Sequence, residues 1–533
     1  MLAVTPVLLL ILTVILIWIF ALVKLRPGTL WLITAVAVSL AWGLMILVGI
    51  RLPQPIVIDQ WLPPPHNFSS LVFAYTPHNW AIGFLIVSLL MAVIFSEAKY
   101  LDTPDYVRKI SGSILLTAIS LLAVMSGSLL SFVITWALID LIEFGVLAVL
   151  MGQPRSLISA ATSIFFRVVG LLLLILFISI TPAERLGAYP IEVIQPFWGL
   201  IVLLVLFRTG TLPLFQPYVK ASDYQRGIVT ILRVIPLAMT YAFIQYISDL
   251  RGGMITGEFW LNIVGIAMLW GAVSWFTAID ELHGRPYLLF AMAGFGLTVL
   301  MTGKIEALPG LAVVLIAGGG GLFLYSPRLN KFNPFIVILV VGMLSIPFTP
   351  SAPLSRLLTG EGSVLAKALW ILGLAFLVAG LVKHSLKRIE HTHPLEPWMR
   401  LFHSAALYFI VVAPWALVVV LRAQQAQYIQ WWPWISITVL CALIIGAFLM
   451  FRSRLGFVFS QHRRINLVVE TTAGAISGLL KFTWLSRIFS SLGFIIAKMV
   501  NVLARVMEGD GGILWSFLFF VLLLSLLLVR QAP

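Results

Sequence analysis

Apolar runs of about 18–24 residues recur along this chain, each long enough to cross a hydrocarbon core of roughly 30 Å as a helix. No other feature constrains the fold as strongly. In lipid a backbone must satisfy its own hydrogen bonds, and only helices or closed barrels do so. The runs read as spans at 4–23, 29–50, 79–97, 111–127, 129–151, 157–181, 195–219, 227–249, 259–280, 286–303, 308–326, 334–350, 364–383, 401–422, 434–451 and 512–530, sixteen in all. Two of them, 195–219 and 334–350, contain prolines. With 61% hydrophobic and 10% charged residues and a mean hydropathy of +1.07, the composition is not that of a soluble domain. The first run, Val4–Leu22, has no basic segment before it and no small-residue cleavage site after it, so it reads as a retained span. The expectation is an all-α, polytopic membrane protein.

The formal charge of +14 and the pI near 10.0 raise the question of nucleic acid. The cationic residues are scattered through short connections, however, and no basic stripe with interleaved aromatics exists, so nucleic acid is not an expected partner. Topology explains the charge better. Lys and Arg concentrate in the odd-numbered connections, which by the positive-inside rule puts 98–110, 384–400 and 452–464 in the cytoplasm. Both termini then lie outside, in the plasma or inner membrane of the cell.

Cofactor chemistry has little to stand on. Cys441 is the single cysteine and falls within a span, which excludes disulfides, thiolate-held iron–sulfur clusters and a Cys-X-X-Cys redox pair. Of the eight histidines only His391 and His393 are close together, in a basic loop, and no metal is expected there. The run Gly318–Gly321 follows no strand and precedes no Lys-Ser/Thr, so close helix packing explains it better than phosphate binding. No motif for a nicotinamide or a flavin is present, and the chain carries no redox site of its own.

The last eighty residues differ. Between Leu485 and Glu508, helical spacing gathers Arg487, Ser490, Ser491, Lys498, Asn501, Arg505 and Glu508 into one polar stripe. Phe489, Leu492, Ile496, Val500 and Leu503 occupy the opposite face. This is an amphipathic helix expected to lie along an interface, on lipid headgroups or across neighbouring subunits.

Charges inside the spans need a separate account, since each costs roughly 2.5–3.5 kcal/mol at a helix centre even on lenient scales. Asp140 and Glu143 share a face of span 5, three residues apart; Arg167 lies in span 6, Arg208 in span 7 and Arg233 in span 8. Such residues either pair to hold helices together or line a polar route for an ion.

These stretches resemble a known family: the antiporter-like membrane subunits of respiratory complex I and of Mrp-type cation/proton antiporters. "WALIDLIEF" at 136–144 is similar to the family's Trp-Glu-Leu segment, and "FRVVG" at 166–170 to its Asn-Arg-Val-Gly-Asp run. "RTGTLPL", starting at Arg208, resembles the Lys-Ser-Ala-Gln-x-Pro-Leu stretch, and it places Arg233 on the family's intramembrane histidine without a gap. "DELHGRPYLLFAMAGFG" at 280–296 resembles an Asp-Leu-Lys-Arg-x-Leu-Ala-Tyr run. "LSIPFTPSAPLSR" at 344–356 resembles a Gly-Ile-Pro-Pro-Phe helix break, with Arg356 near the lysine that follows it. Sixteen spans with an amphipathic helix before the last match the largest of these subunits, in which that helix runs laterally along its neighbours.

The resemblance implies two inverted five-helix repeats, each with one broken helix, the breaks falling near Pro213–Pro217 and Pro347–Pro353. The implied organisation is three N-terminal spans in 1–110, a first repeat in 111–250, a second in 259–384 and two further spans in 401–452. A lateral helix in 462–508 and a final span in 512–530 complete it. It also implies a membrane-arm subunit that works with other membrane subunits to move protons or monovalent cations, in an assembly of the quinone-oxidoreductase or Mrp type.

The departures are specific. Where the family has a titratable glutamate this chain has Ala137, with Asp140 one turn on; the span-7 lysine is Arg208, the span-8 histidine is Arg233, and the span-11 lysine falls at Leu311. The ion-route positions are therefore Asp140, Glu143, Arg167, Arg208, Arg233 and Arg356. Arginine holds its proton under essentially all conditions and cannot relay one. Two other functions fit the same residues: a non-conducting scaffold within a membrane complex, or the membrane half of a bicarbonate- or CO2-uptake pair.

Overall fold

The computed structural model describes residues 2–52, 55–58, 70–101, 106–150, 154–180, 197–211, 227–251, 257–324, 334–359, 362–386, 396–421 and 431–461, with isolated positions near the C-terminus. The chain divides into two compact units, Met1–Leu467 and Val468–Pro533. The amphipathic stretch 485–508, almost all of the final run 512–530, the "HTH" at 391–393 and the break expected at Pro213–Pro217 lie outside the described residues. The account below concerns the first unit.

Its helices are α1 (Thr5–Leu22), α2 (Pro27–Arg51), α3 (Pro77–Ser96), α4 (Tyr106–Val124), α5 (Leu129–Leu150), α6 (Pro154–Ile180), α7 (Trp198–Arg208), α8 (Ile228–Arg251), α9 (Glu258–Thr277) and α10 (Glu281–Thr302). Then follow α11 (Leu308–Val313), α12 (Gly321–Leu324), α13 (Pro334–Met343), α14 (Ser355–Thr359), α15 (Val364–Ser385), α16 (Pro397–Val412), α17 (Trp415–Val420) and α18 (Trp431–Gln461). Among the described residues, twelve helical segments are long and apolar enough to span a membrane. Prolines begin many of them: α1, α2, α3, α11 and α16 all carry Pro in the first two positions, where no helical hydrogen bond is lost. The start of α3 is further fixed by a reciprocal cap, in which Thr76 Oγ1 accepts from Asn79 N–H and Asn79 Oδ1 accepts from Thr76 N–H.

Burial orders the helices. The spanning window of α3 is 94% buried and that of 305–324 is 100% buried, whereas α1 and α18 bury 28% and 17% of theirs. The first two are therefore central staves and the last two face the surroundings. α3 packs against α2, α4, α8 and α16; α9 packs against α10 and α15; α5 packs against α4 and α6, and α6 against α7.

Helices extend beyond the apolar runs. α10 begins at Glu281 rather than 286, because Asp280 caps it by accepting from His283 N–H at 2.8 Å. The helical part of the 195–219 run among the described residues is α7, which ends at Arg208. The run at 308–326 is interrupted: α11 passes into seven residues of π-helix, Val314–Gly320, before α12. Such widened turns concentrate at functional sites. The glycines there admit neighbours closely, and a Cβ on Gly320 would lie 3.0 Å from Leu89 Cδ1. A short antiparallel ribbon, Ile56–Ile58 against Leu71–Phe73, was not anticipated from sequence. Serine hydroxyls far along the chain support it: Val72 N–H donates to Ser131 Oγ at 2.9 Å, and Ser128 Oγ donates to Ser70 O at 2.9 Å.

The helix leaves its ladder after Met343 and resumes at Ala352 as a 3-10 turn leading into α14. Pro347, Pro350 and Pro353 fall in this stretch, where each removes a backbone donor. Ser345 and Phe348 adopt positive φ of 57° and 63°. Strained backbone of this kind holds only where its surroundings over-determine it. Here Ser351 Oγ accepts from Ser345 N–H at 3.0 Å and Thr349 Oγ1 donates to Ile346 O at 2.7 Å, so these two backbone groups of the break are satisfied, while the buried Ser345 hydroxyl finds no partner among the described residues.

Candidate ion-pair site in the first half

α5 presents Trp136, Asp140 and Glu143 on one face, at helical spacings of four and three. α6 brings Arg167 to that face and α7 brings Arg208, its last residue. All four charged side chains are buried: Asp140 is 4% exposed, Glu143 5%, Arg167 1% and Arg208 1%.

The pairing is specific. Arg208 Nη1 donates to Asp140 Oδ2 at 2.5 Å and to the Arg167 carbonyl at 3.1 Å. Its guanidinium carbon lies 4.4 Å from the centre of the Trp136 ring, a cation–π contact. Arg167 Nη1 lies 2.6 Å from Glu143 Oε2, and its Nη2 lies 3.6 Å from Asp140 Oδ1. Two acids and two arginines thus form one network of zero net charge, with Asp140 between the two guanidinium groups. Gly170 makes room for it: a Cβ there would fall 3.0 Å from Arg208 Cδ and 3.1 Å from its Cγ. The glycine of "FRVVG" is needed because the arginine stem crosses α6 at that point.

Arg233 is half-buried on α8, three residues before Pro236, and Arg356 is half-buried on α14, just past the helix break. These two stand on other helices from the four-residue network. Leu311 is fully buried at the end of α11, one turn before the π-helical stretch, and offers no proton acceptor.

A second buried pair was missed by sequence reasoning. Arg285 Nε donates to Glu281 Oε1 at 2.9 Å, and Nη2 bonds the same carboxylate and reaches the Phe323 carbonyl at 3.3 Å. The guanidinium also lies 4.3 Å from the Phe323 ring centre. Its signal was present as a Glu–Arg pair at i, i+4. The apolar run beginning at 286 placed both residues in a connection, although they form the first turns of α10. Lys383 was likewise unassigned; it caps the C-terminal end of α9 by donating to the carbonyls of Phe276 and Ala278, at 2.5 and 3.0 Å. Among the described residues no group of three or more His, Cys, Asp or Glu converges as a metal site would require.

No protein-family model matches the chain, and no curated protein does. Solved structures do match. One is the Mrp complex from Dietzia sp. DQ12-45-1b, at TM-score 0.62 and 15% identity over 99% of this chain and 63% of that chain, so this chain spans under two thirds of that relative. A second is the membrane-bound sulfane sulfur reductase, an archaeal respiratory membrane complex, at TM-score 0.64 and 14% identity over 99% of both chains. A third is respiratory complex I from Thermus thermophilus with bound aureothin, at TM-score 0.54 and 16% identity over 78% of this chain and 97% of that one. The chain has the fold of the antiporter-like membrane subunits of these complexes.

Proposed function

We propose that the chain is a membrane-arm subunit of a multisubunit complex of the Mrp or complex I kind, taking part in proton or monovalent-cation translocation. The observation that carries this reading is the buried network of Asp140, Glu143, Arg167 and Arg208. Charged groups at such depth are kept chiefly where an ion passes or where charges must pair. In this reading Asp140 and Glu143 are the groups that exchange a proton, while Arg167, Arg208, Arg233 and Arg356 act as fixed positive charges that set the field along the route. The sixteen spans, the inverted repeats, the lateral helix along neighbouring subunits and the outward termini belong to the same proposal.

The zero net charge of the network favours a second reading, in which the subunit is a scaffold that binds partners and conducts nothing. Reconstitution into liposomes with an entrapped pH-sensitive dye separates the two. If the arginines block a side-chain relay, the parent moves protons slowly and Arg208→Lys combined with Arg233→His moves them faster. A parent that is already fast, and gains nothing from the two replacements, refutes the role given to the arginines. Silence from both proteins, with partner subunits still co-purifying in fixed ratio, selects the scaffold.

A further inference from the structure

α1, α4 and α5 leave between them a groove of about 320 Å³, open to the surroundings and lined by Val14, Trp18, Arg108, Ser111, Leu115 and Val146 among others. Most of its wall is apolar. Arg108 is its one charged lining residue among the described ones and stands exposed on the first turn of α4. Ser111, one turn deeper, is only 5% exposed, yet its hydroxyl has no hydrogen-bond partner among the described residues. A buried hydroxyl left in that state calls for a partner, and the groove that Ser111 lines is open to one from outside the chain.

We propose that this groove seats an anionic phospholipid. Depth orders the chemistry along it as an ester lipid does: a cation at the mouth, an unpaired hydroxyl below it, then hydrocarbon walls from Val14, Leu115 and Val146. Arg108 meets the phosphate, Ser111 meets a glycerol ester oxygen, and an acyl chain fills the apolar part. Charge complementarity selects an anionic headgroup. Lys109 follows Arg108 on α4, and Lys24 and Arg26 follow directly on α1, whose last turns line the same groove; against these four cations the sequence sets Asp102 and Asp105 just before α4, and among the described residues no carboxylate lines the groove. Trp18 is 48% exposed near the end of α1, as an aromatic at the headgroup level of a bilayer would be. The space over Gly145 on α5 is open, for a Cβ there would meet nothing within 4 Å, so a larger side chain at this position projects into the groove.

The test uses the detergent-solubilised full chain and phosphatidylglycerol with brominated acyl chains, which quench nearby tryptophan; brominated phosphatidylcholine is the control. The Trp18 signal is the difference between the parent and Trp18→Phe. Saturable quenching of that signal by the phosphatidylglycerol is expected at several-fold lower concentration than by the phosphatidylcholine. Arg108→Gln should erase that preference, and Gly145→Leu, which projects into open space, should abolish Trp18 quenching by both lipids. Equal response to the two lipids overturns the proposal, as does quenching that survives Gly145→Leu. Protection of Trp18 by a co-purifying protein subunit also overturns it, since the face is then a protein interface.

Discussion

Removing one member of the four-residue network tests the whole arrangement. Asp140→Ala deletes the carboxylate at 2.5 Å from Arg208 and at 3.6 Å from Arg167. Arg208 then keeps one carbonyl bond and the face of Trp136, in a site where it is 1% exposed. Breaking a buried ion pair on one side costs about 3–5 kcal/mol, because the remaining charge stays buried without compensation. At roughly 1.4 kcal/mol per tenfold, that lowers the ratio of folded to misfolded protein by two to nearly four decades. A substitution at an exposed residue such as Glu258 stays within about 0.5 kcal/mol. Fluorescence-detected size exclusion after graded heating in mild detergent compares Asp140→Ala, Glu258→Ala and the parent. The double variant Asp140→Ala with Arg208→Leu restores neutrality and should recover much of the lost stability, which also covers the case in which the single variant scarcely folds. If Asp140→Ala matches Glu258→Ala, or if the double variant loses at least the sum of its singles, the network does not hold the helices and the reasoning fails.

Glu281→Ala should likewise destabilise by about 3–5 kcal/mol by taking the paired carboxylate away from the buried Arg285, again checked by thermal size exclusion. Ser351→Ala orphans the Ser345 N–H in the helix break at a cost of about 1–3 kcal/mol, and the loss should show as faster amide exchange confined to 344–352. Gly170→Val presses on the Arg208 stem and should lower the melting temperature by an amount equivalent to about 1–3 kcal/mol, largely relieved in Arg208→Ala. Deleting 462–533 should leave an inserted protein that no longer co-purifies with its partner subunits; unchanged stoichiometry means that the segment rests on lipid alone.

Much of this was legible in the sequence, because hydrocarbon imposes length and sign on everything that crosses it. Spans such as α2, α3 and α15 follow from apolar runs, and Asp140 and Glu143 fall on one face by spacing alone. What periodicity could not reach was set by contacts between distant residues. Which arginine meets which acid depends on the packing of α6 against α7 and on the room left at Gly170. Glu281 and Arg285 were read as a connection because hydropathy cannot register an Asp cap that starts a helix five residues before its apolar run. The ribbon at 56–58 and 71–73 is held by Ser128 and Ser131, and three-residue strands carry no usable periodicity of their own. The π-helical stretch over Val314–Gly320 leaves no mark in composition beyond its glycines.

The arginines do more than block. A lysine at position 208 paired with an acid at 140 could exchange its proton with it, leaving both neutral without separating charge. An arginine at 208 keeps the charge on its own side, so an uncharged Asp140 would leave Glu143 alone to face both Arg167 and Arg208, one acid against two cations in one low-dielectric site. A translocation cycle through this site has to move the acids relative to the arginines, or bring in a further anion, before it can load a proton. On the function proposed above, proton uptake at the first-half network calls for a rearrangement of α5 against α6 and α7, and Gly170, where a Cβ would fall 3.0 Å from Arg208 Cδ, is a close contact that such a rearrangement has to carry along or loosen.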